Sequence, residues 1–242
     1  MISLHTIAEL SQKLQTTSMN ILREYVQHQF LSYFYQQPQT DKIFFKGGTA
    51  LRIVYQSPRF SEDLDFSASG RQNTRGIEEA LLQTVKEMER EAIAVRVKES
   101  KETSGGYLAI LVCTLFDQDV TIQLEVSQRV GNIRGDVATI VNNFIPPYTL
   151  MTMTRQQLVA EKCKALMTRG KARDYYDLYF ILRANLLPAG EKHMLRAVAT
   201  NVHATQLNFE KELGQFLPSS HRSVIRNFKH VLEAEIQRSL GV

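Results

Sequence analysis

The residues with the clearest chemical potential are two aspartates separated by one position, Asp63 and Asp65, in the segment SEDLDFS. The alternation of acidic and apolar residues predicts a half-buried strand with both carboxylates on one face. Two carboxylates this close do not both stay ionised easily without a cation. Oxygen ligands of this kind suit Mg²⁺ or Mn²⁺, which can activate a hydroxyl for in-line attack on a phosphate.

A glycine pair precedes the aspartates and could bind the phosphates on which such a reaction takes place. Gly47 and Gly48 follow the short apolar run 43–45, which predicts a buried strand, and helical character resumes at 50–55. Glycine lets the backbone approach an anion closely, and a helix start presents free N–H groups. Thr49 adds a hydroxyl donor. The order strand, turn, helix and acidic strand therefore predicts a triphosphate-binding turn beside a metal site.

Two blocks of sequence resemble a known family. FKGGTALRIVYQSPRFSEDLDF resembles the first motif of the DNA polymerase β-like nucleotidyltransferases, and more narrowly that of the AbiEii/AbiGii family. Those proteins are toxins of type IV toxin–antitoxin and abortive-infection systems. EKCKALMTRGKARDYYDLYFI, residues 161–181, resembles the family's C-terminal Lys and Arg-Asp-x-x-Asp-Leu motifs. The gap after Gly48 is slightly longer than in the broad superfamily, but the narrower family tolerates it.

The resemblance implies a role for each matching residue. It implies that the metals are held by Asp63 and Asp65, and that catalysis also uses Lys162 and Asp174. The nucleotide-binding set it implies comprises Gly47, Gly48, Thr49, Ser61, Lys162 and Asp177, with Arg59 also matching the pattern. Two plainer interpretations stay open: Lys162 as a lysine on a helix surface, and Arg173-Asp174 as an ion pair at a helix start.

Many polymerase β-like enzymes use a third acid on a later strand, and Glu125 is the candidate here. In the predicted strand 120–126 it alternates with the apolar Leu124 and Val126. We expect it to act as a third metal ligand or as a general base. The neighbouring Asp117 and Asp119 are more typical of a turn.

The resemblance further implies a reaction in which a nucleoside monophosphate is transferred from an NTP to RNA, particularly to the tRNA 3′ end, with release of pyrophosphate. It also implies a cognate antitoxin as protein partner. Residues 155–173 contain six basic residues and one acidic residue, more positive than the whole chain at +4. This run favours a nucleic acid over a cationic small molecule. The alternatives are a protein or small-molecule hydroxyl as acceptor, or a member that only binds nucleotide or partner.

The positioning elements follow from periodicity. Apolar residues at helical spacing predict helices within the first 37 residues and from about 150 onward. The intermediate block is predicted to hold a helix at 75–91 and strands at 92–98, 107–116 and 120–126. Later helices are predicted at 154–168 and 173–186, and two or three more between 190 and 240. We therefore predict an α/β (α+β) fold: a polymerase β-like mixed-sheet core at 1–145 and a helical domain at 146–242, with a linker near Pro146-Pro147.

Composition excludes other classes of protein. No apolar stretch is long enough for a transmembrane helix, and the N-terminus lacks the features of a secretory signal. Cys113 and Cys163 have no ligand neighbours at zinc spacing, and the six histidines form no ligand pair. We expect a cytoplasmic protein without membrane contact, whose chemistry uses neither zinc nor histidine.

Overall fold

The computed structural model of the chain describes residues 2–70, 74–128 and 133–241. Helices and strands alternate in the first two thirds, and helices alone follow. The helices are α1 (Leu4–Lys13), α2 (Ser18–Phe34), α3 (Gly47–Ile53), α4 (Thr74–Arg90), α5 (Arg155–Thr168), α6 (Ala172–Arg183), α7 (Met194–Ala204), α8 (Phe209–Leu213), α9 (Arg222–Arg226) and α10 (Phe228–Leu240). The strands are β1 (Ile43–Lys46), β2 (Leu64–Ala68), β3 (Ala94–Thr103), β4 (Gly106–Leu115), β5 (Gln118–Ser127), β6 (Gly135–Ile140) and β7 (Tyr148–Met153). The predicted α/β class is confirmed.

The chain forms two compact units, and the first contains the sheet. It comprises Met1–Gln56 and Phe60–Met153, and its seven strands have the order β3-β4-β5-β2-β1-β7-β6. Strands β2 and β5 are parallel, as are β1 and β7, whereas the other neighbours are antiparallel. Aromatic rings of α2 and the central strands pack together: Phe66 lies 5.3 Å from Phe34 and 5.4 Å from Phe45 between ring centroids. The sheet is therefore mixed, as expected.

The boundary between the units differs from the predicted linker. Strands β6 and β7 were not predicted, and Pro146-Pro147 lies in the loop that joins them. Strand β7 pairs in parallel with the central strand β1, a contact that local sequence does not reveal. The first unit therefore extends to Met153 instead of ending at 145.

The hairpin of β4 and β5 forms where turn residues predict it. Strands β4 and β5 are joined by Phe116 and Asp117, whose φ angles are 49° and 60°. Two residues at positive φ are typical of the tight turn that matches the twist of paired strands. Helix α3, by contrast, begins at Gly47 rather than at residue 50, so the glycines lie within its first turn.

The second unit comprises Ser57–Arg59 and Thr154–Val242. Its core includes a cluster of rings: Phe228 stacks on Tyr176 with centroids 5.8 Å apart and meets Phe209 edge-on at 4.8 Å. Four α-helices follow α6, one more than the upper number predicted. In neither unit is any described helix long and apolar enough to cross a membrane.

Candidate active site

The carboxylate of Asp65 lies directly against the glycine turn. Gly47 has φ = +81°, and a β-carbon built on it would stand 2.2 Å from Asp65 Oδ2 and 2.8 Å from Asp65 Cβ. No side chain other than hydrogen fits in that space, and positive φ is itself unfavourable for other residues. The first motif therefore needs glycine at 47 because an acidic side chain of the next strand occupies the space beside it.

Strand pairing arranges charged residues in a row across one face of the sheet. Asp65 is the register partner of Lys46 on β1 and of Glu125 on β5. Register partners point to the same face, and neighbouring strands lie about 4.8 Å apart. Glu125 is also paired with Leu108 on β4 and is exposed. The sheet therefore brings Glu125 beside Asp65, although 60 positions separate them in sequence.

Asp63 is positioned differently from Asp65. Strand β2 begins at Leu64, so Asp63 precedes the first ladder residue, and the predicted strand Ser61–Ser67 starts too early. The hydroxyl of Thr49, which is 1% exposed, donates to the main-chain carbonyl of Asp63. We expected this hydroxyl to bind phosphate. In the structure it orients the Asp63 main chain instead, so a phosphate contact at residue 49 would have to come from its N–H group.

Helix α2 contacts the two residues that precede Asp63. Gln27 Nε2 donates to the carbonyl oxygens of Ser61 and Glu62 at 2.9 and 3.1 Å. Arg23 forms an ion pair of 3.2 Å with the Glu62 carboxylate. These polar residues of α2 are functional candidates that sequence reasoning missed, because a helical pattern places Gln and Arg on the solvent side, whereas Gln27 is only 2% exposed.

Arg52 of α3 connects the same helix to Phe60. Its guanidinium donates to Glu24 through Nε at 2.8 Å and Nη2 at 3.0 Å, a two-point contact with the carboxylate. The same guanidinium carbon lies 4.0 Å from the centroid of the Phe60 ring. A cation over an aromatic face is attractive, and the planar guanidinium suits this geometry. Residues 60, 61 and 62 are therefore each held by α2, directly or through Arg52.

The donors of this region fit a magnesium or manganese ion. Within residues 2–70, 74–128 and 133–241, no group of three or more His, Cys, Asp or Glu side chains is arranged to hold a metal. Mg²⁺, however, is commonly bound by one or two carboxylates together with waters and substrate phosphates. Asp65 lies next to the glycine turn, and Asp63, two residues earlier, is the candidate for the second carboxylate. Whether Glu125 joins them stays a prediction.

In the second unit, a buried carboxylate holds two cations. Asp177 is 1% exposed and accepts from Arg59 Nε at 2.8 Å, from Arg59 Nη2 at 3.1 Å and from Lys162 Nζ at 2.7 Å. Burial alone raises the pKa of Asp177, but the charges of Arg59 and Lys162 outweigh it, and the pKa lies below its usual value. Lys162 is 7% exposed, so it is not a lysine on a helix surface.

Asp174 has a structural position at the start of α6. Its carboxylate accepts from Arg169 Nε at 2.8 Å and Nη2 at 2.7 Å, and from the backbone N–H of Lys171 at 3.1 Å. A carboxylate in the first helical turn satisfies an unpaired N–H group and interacts favourably with the helix dipole. This is the helix-start ion pair left open by the sequence, and Arg169 is a partner in it.

The basic run is partly neutralised by these contacts. Lys162 and Arg169 face buried carboxylates, whereas the side chains of Arg155, Lys164 and Lys171 are exposed. No ion pair involves these last three in the part of the chain that the structure describes. The free positive charge of residues 155–173 is therefore smaller than the sequence suggests, but it is concentrated on exposed residues.

A cavity of about 440 Å³ opens beside Glu125 in the first unit. The lining residues are mostly uncharged and can form hydrogen bonds, including Thr103, Ser104, Gln123, Ser127 and Gln128. Its volume lies within the range usual for small-ligand sites. Neutral amides and hydroxyls next to the row of carboxylates suit a polar, nucleoside-sized group.

Comparison with known proteins identifies a family and similar folds. The sequence profile of the family described as nucleotidyl transferase AbiEii toxin of a type IV toxin–antitoxin system matches residues 29–237. The fold is similar to that of the nucleotidyltransferase toxin MenT4 from Mycobacterium tuberculosis, with a TM-score of 0.71, 16% identity, and coverage of 100% of this chain and 91% of that one. It is also similar to JHP933 from Helicobacter pylori, with a TM-score of 0.61, 17% identity and coverage of 93% of both chains. No curated protein sequence matches this chain.

Proposed function

The chain belongs to the AbiEii family of type IV nucleotidyltransferase toxins, and from this premise we propose that it moves a nucleoside monophosphate from an NTP to an RNA acceptor. The observation that carries the proposal is the contact of Asp65 with Gly47. It places a candidate metal ligand immediately beside the turn whose backbone can approach a phosphate. The family supplies the reaction class, and the contact supports Asp65 as one of the metal ligands.

In the first unit, Asp63 and Asp65 would hold Mg²⁺ or Mn²⁺. When bound, the metal neutralises charge on the phosphates and lowers the pKa of the attacking hydroxyl. The residues of the chain do the positioning: Gly47 leaves space, and the N–H groups at Gly48 and Thr49 are available to phosphate oxygens because α3 has no side-chain cap. Glu125, next to Asp65 in the sheet, is placed to accept the proton of the acceptor hydroxyl.

In the second unit, Lys162 would bind the phosphates of the nucleotide. The ammonium of Lys162 has three protons and donates one of them to Asp177 in this structure. Asp177 also accepts from the Arg59 guanidinium, so it holds the two cations side by side. A lysine ammonium is a compact point charge that suits the oxygens of a phosphate.

Two further expectations rest on the family and on charge. RNA, most specifically the tRNA 3′ end, is favoured as acceptor by the exposed Arg155, Lys164 and Lys171. A type IV toxin implies a cognate antitoxin protein as partner. We also place the reaction in the cytoplasm, where both NTP and tRNA are available.

The competing acceptor is a protein or small-molecule hydroxyl. The exposed Arg155, Lys164 and Lys171 favour a nucleic acid over a cationic drug. Apart from Glu125, the lining of the cavity is uncharged and offers hydrogen bonds to a nucleoside. A member that only binds nucleotide is disfavoured because both motif aspartates and Lys162 are present, and Asp65 lies against the glycine turn.

The test is incubation of the protein with each of the four labelled NTPs, Mg²⁺ and total RNA, alongside a reaction without RNA. We expect label in the tRNA fraction, and none with Asp63→Asn or Asp65→Asn, which keep the side-chain shape but lose the charge. Label on the protein itself would favour the competing acceptor. Full transfer by both variants would exclude these aspartates as the metal site.

A further inference from the structure

The two candidate metal ligands are held in different ways. Asp65 lies within the ladder of β2, where pairing with Lys46 and Glu125 fixes its main chain on both sides. Asp63 lies outside the ladder, because the first paired residue of β2 is Leu64. Residues outside a ladder can move unless other contacts fix them. The position of the Asp63 carboxylate therefore depends on contacts made by the segment around it.

Those contacts come from one face of helix α2. Gln27 lies three positions after Glu24 and four after Arg23, so its side chain neighbours both of theirs on the helix surface. Arg23 contacts the Glu62 carboxylate, Gln27 contacts the main chain of residues 61 and 62, and Glu24 holds the Arg52 guanidinium against the Phe60 ring. Together with the Thr49 hydroxyl at Asp63, these contacts hold four successive residues.

Gln27 makes the central contact. Its amide nitrogen donates to two successive carbonyl oxygens, at 2.9 and 3.1 Å, in a site where the side chain is 2% exposed. Carbonyl oxygens only accept hydrogen bonds, so a donor with two protons is required at this point. Neither a carboxylate nor an apolar side chain could replace it. A buried carbonyl left without a donor is costly, and the segment would shift to find one.

We propose that Gln27, supported by the Glu24–Arg52 pair, is a positioning residue for metal binding. It fixes the main chain of residues 61 and 62 so that the Asp63 carboxylate converges with that of Asp65. This inference rests on the proposed metal site. It assigns to the buried polar face of α2 a role in catalysis in addition to its role in packing.

The experiment compares the full-length chain with Gln27→Met, which keeps the length of the side chain but removes its donors. The matched control is Gln29→Met on the same helix, where a buried amide donates to the Tyr25 hydroxyl at 2.9 Å, away from the aspartates. Binding of Mn²⁺ alone is followed by the electron paramagnetic resonance signal of the free ion. Loss of an outer-shell partner typically weakens metal binding or activity by roughly 10–100-fold.

We expect Gln27→Met to weaken Mn²⁺ binding by about that factor and to lower kcat with little change in KM for the NTP. Gln29→Met should bind Mn²⁺ like the wild type, and Asp63→Asn should lose binding. If Gln27→Met binds Mn²⁺ as tightly as the wild type while Asp63→Asn loses binding, the positioning role is overturned but the metal site is not. A wild type that binds Mn²⁺ no better than Asp63→Asn would overturn the metal site as well.

A second variant covers the case in which Gln27→Met fails to fold, as judged by circular dichroism. Arg52→Lys keeps a positive charge near Glu24 but loses the two-point contact and the flat surface over Phe60. We expect a weaker effect on Mn²⁺ binding in the same direction. An Mn²⁺ affinity equal to that of the wild type would contradict the proposal.

Discussion

The Asp65 carboxylate occupies the space that a β-carbon at residue 47 would need, because that carbon would stand 2.2 Å from Asp65 Oδ2. Gly47→Ala must therefore displace the carboxylate or the turn, in addition to the strain of placing alanine at φ = +81°. We expect a loss of about 1–3 kcal/mol in unfolding free energy. We expect a loss of at least roughly 100-fold in transfer, because misplacement by about 1 Å can cost that much.

The measurements for Gly47→Ala are denaturant unfolding and labelled transfer. Gly76→Ala is the matched control, since its β-carbon would meet only Gln39 side-chain atoms, at 3.7 Å or more, inside α4. That variant should be as active as the wild type and no less stable. Equal activity of both variants would show that the contact with Asp65 has no catalytic consequence.

Lys162→Ala should weaken transfer strongly, and Lys162→Arg should restore it only in part. A compact ammonium and a planar guanidinium do not occupy the same phosphate geometry. Both variants should fold, because Arg59 still balances the buried charge of Asp177. The measurement is steady-state transfer at varied NTP concentration. Wild-type kinetics in both variants would reduce Lys162 to a structural partner of Asp177.

Glu125→Gln should lower transfer by about 100-fold, the lower end of the effect of a general base. Asp117→Asn, in the turn between β4 and β5, is the control for removal of one negative charge from the same hairpin, and it should transfer at the wild-type rate. Wild-type transfer by Glu125→Gln would show that Glu125 is neither a base nor a metal ligand.

Charge reversal on the exposed part of the basic run should weaken RNA binding. Lys164→Glu with Lys171→Glu avoids Arg169, whose loss would disturb the start of α6. The double variant should bind RNA more weakly and with a smaller salt dependence, because fewer counterions are released. Lys192→Glu with Lys211→Glu changes the net charge equally and serves as control. Identical salt titrations for the two double variants would place the acceptor elsewhere.

His28 should make the fold sensitive to mild acid. It is 3% exposed, its Nδ1 lies 2.8 Å from the Tyr148 hydroxyl, and burial together with the Arg52 charge lowers its pKa to about 3. The unfolded chain takes up a proton near pH 6.5 and the folded chain does not, so stability falls as pH decreases between these values.

Between about pH 7.5 and about pH 5, the wild type should lose about 2 kcal/mol more unfolding free energy than His28→Gln. Urea unfolding at the two pH values measures this difference. Glutamine can still bond to Tyr148 but does not titrate in this range. An equal pH dependence in the two proteins would mean that His28 is protonated in the folded state.

The sequence alone determined the reaction class and the order of the parts around it. Gly47, Gly48, Asp63 and Asp65 form a compact motif whose members are close in the chain, so their proximity required no knowledge of the fold. The hairpin at Phe116-Asp117 and the helices before residue 37 were likewise set by local turn chemistry and periodicity. The family profile then confirmed the class of enzyme.

Tertiary structure decided which partners these residues have. Strand β7 was missed because its pairing with β1 joins segments about a hundred positions apart, and a short apolar run alone does not distinguish strand from helix. Asp174 and Asp177 look equivalent in the motif, yet one begins a helix and the other holds two buried cations. Gln27 has no sequence signature, because whether a polar helix residue meets water or a main chain depends on what packs against it.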